Sequence, residues 1–412
     1  MKTLQTRFRI SACPHRKNYD AKGVYPVKKI LFIAIVAAMM ISVIPAQQDE
    51  RCLNLKKVFI SGNIQDKTEV IETAAGQEGC EQLIADGLAF ADANAQLLGV
   101  EKSMINLAST AISHAHECDS AETFALVMGL FQKYEDVSVR QACLNYLLKT
   151  KYTSEKTAEI IEDYAVELLN DGKAGNDILH VCIAVLDKLH ENTSFRVFFS
   201  YASASYLEES LRQEALAAMN RLSDVYRINM LSIIADSPVP NKLAALQMVL
   251  ENETNSDVLR AEAAESALST SIIHAGDTFD ASLIDLQLIA LAELRRLSWT
   301  RASNLVASYF EMARKEFEDA ILMPEQFCEV IESVKELSVV KAGSLFTDFL
   351  TSCNTNVENG LSCSVPVVLA VINSLGALGD KVSFDALLYV SYVPYPDEVV
   401  LASREALARL KW

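Results

Sequence analysis

Aromatic residues are scarce in this chain, 8% of 412, while half of all residues are apolar. A balance so rich in alanine and leucine suits helices and offers little for a β-sandwich. Basic residues are scarce too once the first 46 positions are set aside: 29 remain against 53 acidic ones, a net charge of −24. Such a surface repels phosphate backbones, whose binding needs clustered lysine and arginine to release counterions, so nucleic acid is not an expected partner. The chain also lacks a nucleotide-cradling glycine loop, a zinc-protease helix motif, a paired-cysteine motif and a serine elbow. The expectation is an all-α protein that is not an enzyme and uses no cofactor. At 412 residues it exceeds one ordinary core, which implies several domains or an extended array.

The N-terminal segment is the exception to the acidic composition. Eight basic residues, from Lys2 to Lys28 and Lys29, stand in positions 1–46 against the single acid Asp20. The uncharged run Ile30–Ile44 follows, about 15 residues where a membrane span needs roughly 20. Basic residues, then a short apolar core, then small residues near Ala46 fit a signal peptide, so the chain is expected to be exported, to a periplasm in a bacterial envelope. A leader that stays attached and anchors the chain to the inner membrane is the alternative. A start at Val27 would give the compact leader such a signal normally has. No cysteine directly follows the apolar run, and Cys52 lacks the small-residue context of a lipid anchor. Residues 47–65 read as a linker.

Eight cysteines remain beyond the leader, without the dense spacing of a disulfide framework. Cys143 and Cys182 occupy apolar positions of helical patterns. Cys353 and Cys363 flank the polar stretch Asn354–Gly360 and are the pair expected to form a disulfide. The densest set of metal-ligand types is His114-Ala115-His116-Glu117-Cys118-Asp119. Residues two apart on a helix point about 200° from one another, so no metal is assigned there. The acidic pairs Glu162-Asp163 and Glu208-Glu209 diverge in the same way and read as solvated charge. Phe195, Phe198 and Phe199 share one helix face and read as core. Tyr389, Tyr392 and Tyr395 lead into Pro394 and Pro396 at the last turn, where hydroxyl groups facing solvent suit partner binding.

From residue 66 onward the chain reads as helix after helix, separated by short polar turns. Two segments near the end nearly coincide. Val367-Val368-Leu369-Ala370, with Leu375 and Leu378, recurs 32 residues later as Val399-Val400-Leu401-Ala402, with Leu407 and Leu410. A repeat of that length, each copy closing a helix pair, predicts an α-solenoid over 66–412, clearest over 340–412. Trp412 is placed to cover the last unit.

Three segments carry a family resemblance: Asp136-Val137-Ser138-Val139-Arg140, Glu209-Ser210-Leu211-Arg212 and Asp257-Val258-Leu259-Arg260. Each resembles the start of the second helix in HEAT repeats. The resemblance implies a superhelix of stacked helix pairs and, as a family tendency, binding of a protein partner along a concave face. It also implies an inter-repeat ladder in which an acid in the turn and a base on the helix link successive units, here Asp136 with Arg140 and Asp257 with Arg260. Glu209 replaces the aspartate in the middle copy, and Val400 stands where the last unit would carry its base. HEAT-like folds also include DNA glycosylases and bilin lyases, so an enzyme or accessory protein using the groove for a small ligand is the second expectation. A structural envelope component held by a retained leader is the third.

Overall fold

The computed structural model describes residues 50–411 except 155, 173–174 and 275–279. The leader with its apolar core at 30–44, residues 47–49 and Trp412 lie outside the described residues. Among the described residues every regular element is helical. They divide into two compact units, one up to Tyr152 and one from Thr153.

The first unit holds α1 (50–61), α2 (Ile64–Ala74), α3 (Glu81–Leu98), α4 (Lys102–His114), α5 (Ala121–Lys133) and α6 (Val137–Lys149). The linker expected over 47–65 is corrected here, because 50–61 is helical. Cys52, Leu55 and Phe59 fall on one side at helical spacing, and Phe59 is buried against Phe90 of α3 at 6.4 Å. Starts are written locally. Asn63 and Asp66 exchange side-chain and backbone hydrogen bonds of 2.9 and 3.0 Å at the head of α2, and Ser120 caps α5. In the core α2 packs on α4, α4 on α6, and α3 on α5. From α2 to α6 each helix therefore touches the one two places on, and α2 with α3, α3 with α4 and α5 with α6 also pack as neighbours.

The second unit runs through α7 (Thr157–Asp171), α8 (Asn176–Leu189), α9 (Phe195–Ser203), α10 (Glu209–Arg221), α11 (Ser223–Asp236), α12 (Val239–Glu251), α13 (Asp257–His274) and α14 (Ala281–Arg296). It continues with α15 (Ser303–Glu318), α16 (Pro324–Leu337), α17 (Val339–Glu358), α18 (Val365–Leu378), α19 (Phe384–Tyr389) and α20 (Asp397–Arg409). From α11 onward odd helices pack on odd and even on even, in two layers, as well as pairwise. This is the packing of a helical array, in which no pair can bury its apolar face alone. The phenylalanines of α9 are core as expected, with Phe195, Phe198 and Phe199 buried.

Between successive pairs runs a set of polar links about 35 residues apart in sequence. The Tyr201 hydroxyl donates to the Ala165 carbonyl at 2.7 Å, Arg221 meets Asp187 at 2.7 Å, and Arg301 meets Glu265 at 2.7 Å. Arg227 pairs with Glu262 across the same interval. These polar links join successive pairs through residues additional to those the HEAT resemblance implied. Asp136 accepts from the Ser138 amide at 2.9 Å as the cap of α6, and Arg140 donates to the Tyr134 carbonyl at 2.9 Å. Arg260 donates to the Asn252 carbonyl at 3.0 Å, while Asp257 lies 3.6 Å from Arg296 of α14.

The twin segments lie on α18 and α20, which pack against each other. Val367, Val368 and Leu375 are buried, as are Val399 and Leu410. Gly376 makes the close approach: a methyl group there would stand 2.9 Å from the Ala406 Cα and Cβ. Leu401 is 58% exposed whereas its counterpart Leu369 is half-buried, because α20 has no following helix within the described chain.

Candidate functional site

The last two helix pairs gather the residues the sequence marks most strongly. Helix α17 continues through Cys353 to Glu358, so the stretch after Cys353 is mostly helix rather than loop. Several of its polar groups find partners in the helix itself and in its neighbour. Thr351 and Thr355 hydroxyls donate to carbonyls one turn back, and the Asn354 amide donates to the Ala386 carbonyl at 2.9 Å. The expected disulfide between Cys353 and Cys363 is corrected with it: both are thiols, and the Cys363 sulfur faces the Cys353 carbonyl at 3.6 Å. Cys353 is buried within a continuous helix that runs on to Glu358 instead of standing at the mouth of a loop. The disulfide of the described chain joins Cys52 and Cys80, 28 residues apart.

Glu358, at the end of α17, accepts a hydrogen bond from the Tyr389 hydroxyl at 3.0 Å, and this bond to a carboxylate pushes the tyrosine pKa up. Helix α19 ends at Tyr389 and tightens into a turn over Val390–Tyr392, which sets the Tyr389 and Tyr392 rings 6.4 Å apart and tilted by 44°. Tyr389 is 41% and Tyr392 75% exposed. Two of the three tyrosines thus form one exposed aromatic edge with an acid beside it. Tyr395 departs from the expectation. Its hydroxyl is buried without a hydrogen-bond partner, and burial, with the Cys353 and Cys363 thiols nearby, pushes its pKa up.

Close to these residues lies a cavity of about 450 Å³ lined by Phe317, Phe349, Cys353, Cys363, Ser364 and Val367. Burial pushes the Cys353 thiol up, away from the thiolate that would act as a nucleophile. No histidine stands in the cavity lining beside the two cysteines. The cavity is a partly open recess lined mostly by neutral side chains, with Glu318 among them.

The cluster at 114–119 is occupied by structural bonds. His114 meets Glu117 at 3.1 Å, and Glu117 also accepts from the Gly76 amide at 2.7 Å. Asp119 accepts from the Tyr146 and Thr150 hydroxyls, each at 2.6 Å. Burial alone would raise the Asp119 pKa, but those two donors hold it below the ordinary value. No group of three or more metal-ligand side chains comes together among the described residues, nor is any described helix long and apolar enough to cross a membrane.

The sequence reading missed the Cys52–Cys80 bond, because Cys52 stood in the supposed linker. It also missed the rungs between units, although oppositely charged residues spaced by 34 to 36, as Asp187 and Arg221 or Glu265 and Arg301, were there to be found. No family model, curated protein or solved structure matches the chain.

Proposed function

We propose that the protein is an exported HEAT-like α-solenoid scaffold without catalytic activity, which binds a protein partner. The stacked pairs, the two layers and the rungs about 35 residues apart support the architecture. The observation that carries the binding is the exposed Tyr389–Tyr392 edge beside Glu358. Tyrosine offers a large contact area with two rotatable angles and a hydroxyl to orient it, the combination that concentrates binding energy at interfaces. The concave face of the array is the companion surface on this reading. The tagged chain, captured from the envelope fraction, is expected to recover one reproducible protein, and Tyr392→Ala to lower that recovery about tenfold or more. No reproducible partner, or equal recovery with the variant, refutes the reading.

The cavity favours a second reading, a small ligand held by an enzyme or accessory protein. Its volume of about 450 Å³ falls in the range of ligand pockets. A small molecule that raises the Tm of the wild type and not of a Val367→Trp variant would support it.

A further inference from the structure

Helix α1 presents a surface unlike the rest of the chain. Its inner side is fixed by Phe59 against Phe90, by the Lys67 ammonium donating to the Phe59 carbonyl, and by the Cys52–Cys80 disulfide. Its outer side mixes apolar and basic groups. Leu53, Val58 and Ile60 are 56%, 47% and 71% exposed, and Arg51, Lys56 and Lys57 are exposed on the same helix. At about 100° per residue, Leu53, Lys57 and Ile60 fall within roughly 60° of one another, with Lys56 along the same edge. The helix carries three basic residues and one acid, Glu50, in a chain whose positions 50–412 hold 29 basic and 52 acidic residues.

We infer that α1 lies on an anionic lipid surface, with Leu53 and Ile60 at the headgroup boundary and Lys56 and Lys57 on lipid phosphates. A helix with bulky apolar side chains flanked by lysines, and too short and charged to span, is built for the plane of an interface. Position in the chain selects lipid over an acidic protein. Only residues 45–49 separate α1 from the uncharged run Ile30–Ile44, a reach of at most about 20 Å. This placement rests on the reading in which the leader is retained, where that run would hold α1 beside a bilayer. Asp86 already meets Lys56 at 3.8 Å, the Asp66 carboxylate accepts the Asn63 amide, and screening over about 10 Å confines the remaining acidic surface to a minor role.

The test uses the full chain in intact cells, with a photoreactive phenylalanine at position 53 or 60 and a control at exposed Leu401 on α20. Phospholipid adducts are expected at 53 and 60, at least about tenfold above 401. In a K56E/K57E background they should fall at least about fivefold, the effect of roughly one lysine at an anionic surface. Non-reducing peptide maps that retain Cys52–Cys80 confirm that the variant keeps α1 in place. Adducts to protein at 53 and 60, lipid adducts no higher than at 401, or lipid adducts unchanged by K56E/K57E would each overturn the assignment.

Discussion

Half-buried Asp119 and buried Glu316 differ in kind, and pH separates them. Asp119 is held ionised by two hydroxyl donors, so its stabilising effect is present above the ordinary carboxylate pKa and is lost as pH falls through its lowered folded value. Asp119→Ala is expected to cost about 2 kcal/mol at neutral pH, shrinking in acid; denaturant titrations at both pH values check this. Glu316 behaves oppositely. Burial raises its pKa and one carboxylate oxygen has no partner, so above the ordinary value ionisation favours the unfolded chain. Glu316→Gln should stabilise by on the order of 1 kcal/mol at pH 7 and have no effect well below pH ~4. Neither environment was legible in the sequence, since the chain gives an acid's position in a helix but not which hydroxyl groups reach it. The apolar positions were legible: Phe195, Val367 and Val399 are buried where helical spacing put them.

At the scale of elements, helix ends carry much of the specification. Lys67 and Lys242 are buried lysines that donate to carbonyl groups eight residues back, at the ends of α1 and α11. A lysine normally reads as surface, which is why this device was hidden. The continuation of α17 into the polar stretch after Cys353 was hidden for a related reason: threonine and asparagine look like loop formers until their side chains are seen bonded to carbonyls. The repeat of α18 in α20 could be read because packing positions impose the same residues twice. Its tightest point gives a test. Gly376→Val should destabilise by about 1–3 kcal/mol through overlap with Ala406, whereas exposed Ala377→Val should cost only about 0.5, both measured by thermal unfolding. Likewise, Cys52→Ser with Cys80→Ser opens a loop of 28 residues and should cost about 3 kcal/mol, with α1 gaining hydrogen exchange first.

The whole molecule is an all-α chain in two compact units, each built by packing helices on their neighbours in sequence. Helical periodicity and the 32-residue echo made that class legible, because stacking demands small and large apolar residues at regular intervals. The site was legible in part. Tyr389 and Tyr392 form an exposed pair, while the hydroxyl of Tyr395 turned inward to the cysteines, a direction set by tertiary packing that spacing does not encode. The scaffold reading stands or falls on that aromatic edge. Its most direct test is photo-cross-linking in intact cells from position 392, followed by identification of what is joined to the chain. A single protein joined at 392 and lost in Tyr389→Ala is the predicted result; no protein adduct, or a pattern of many proteins unchanged by Tyr389→Ala, would contradict it.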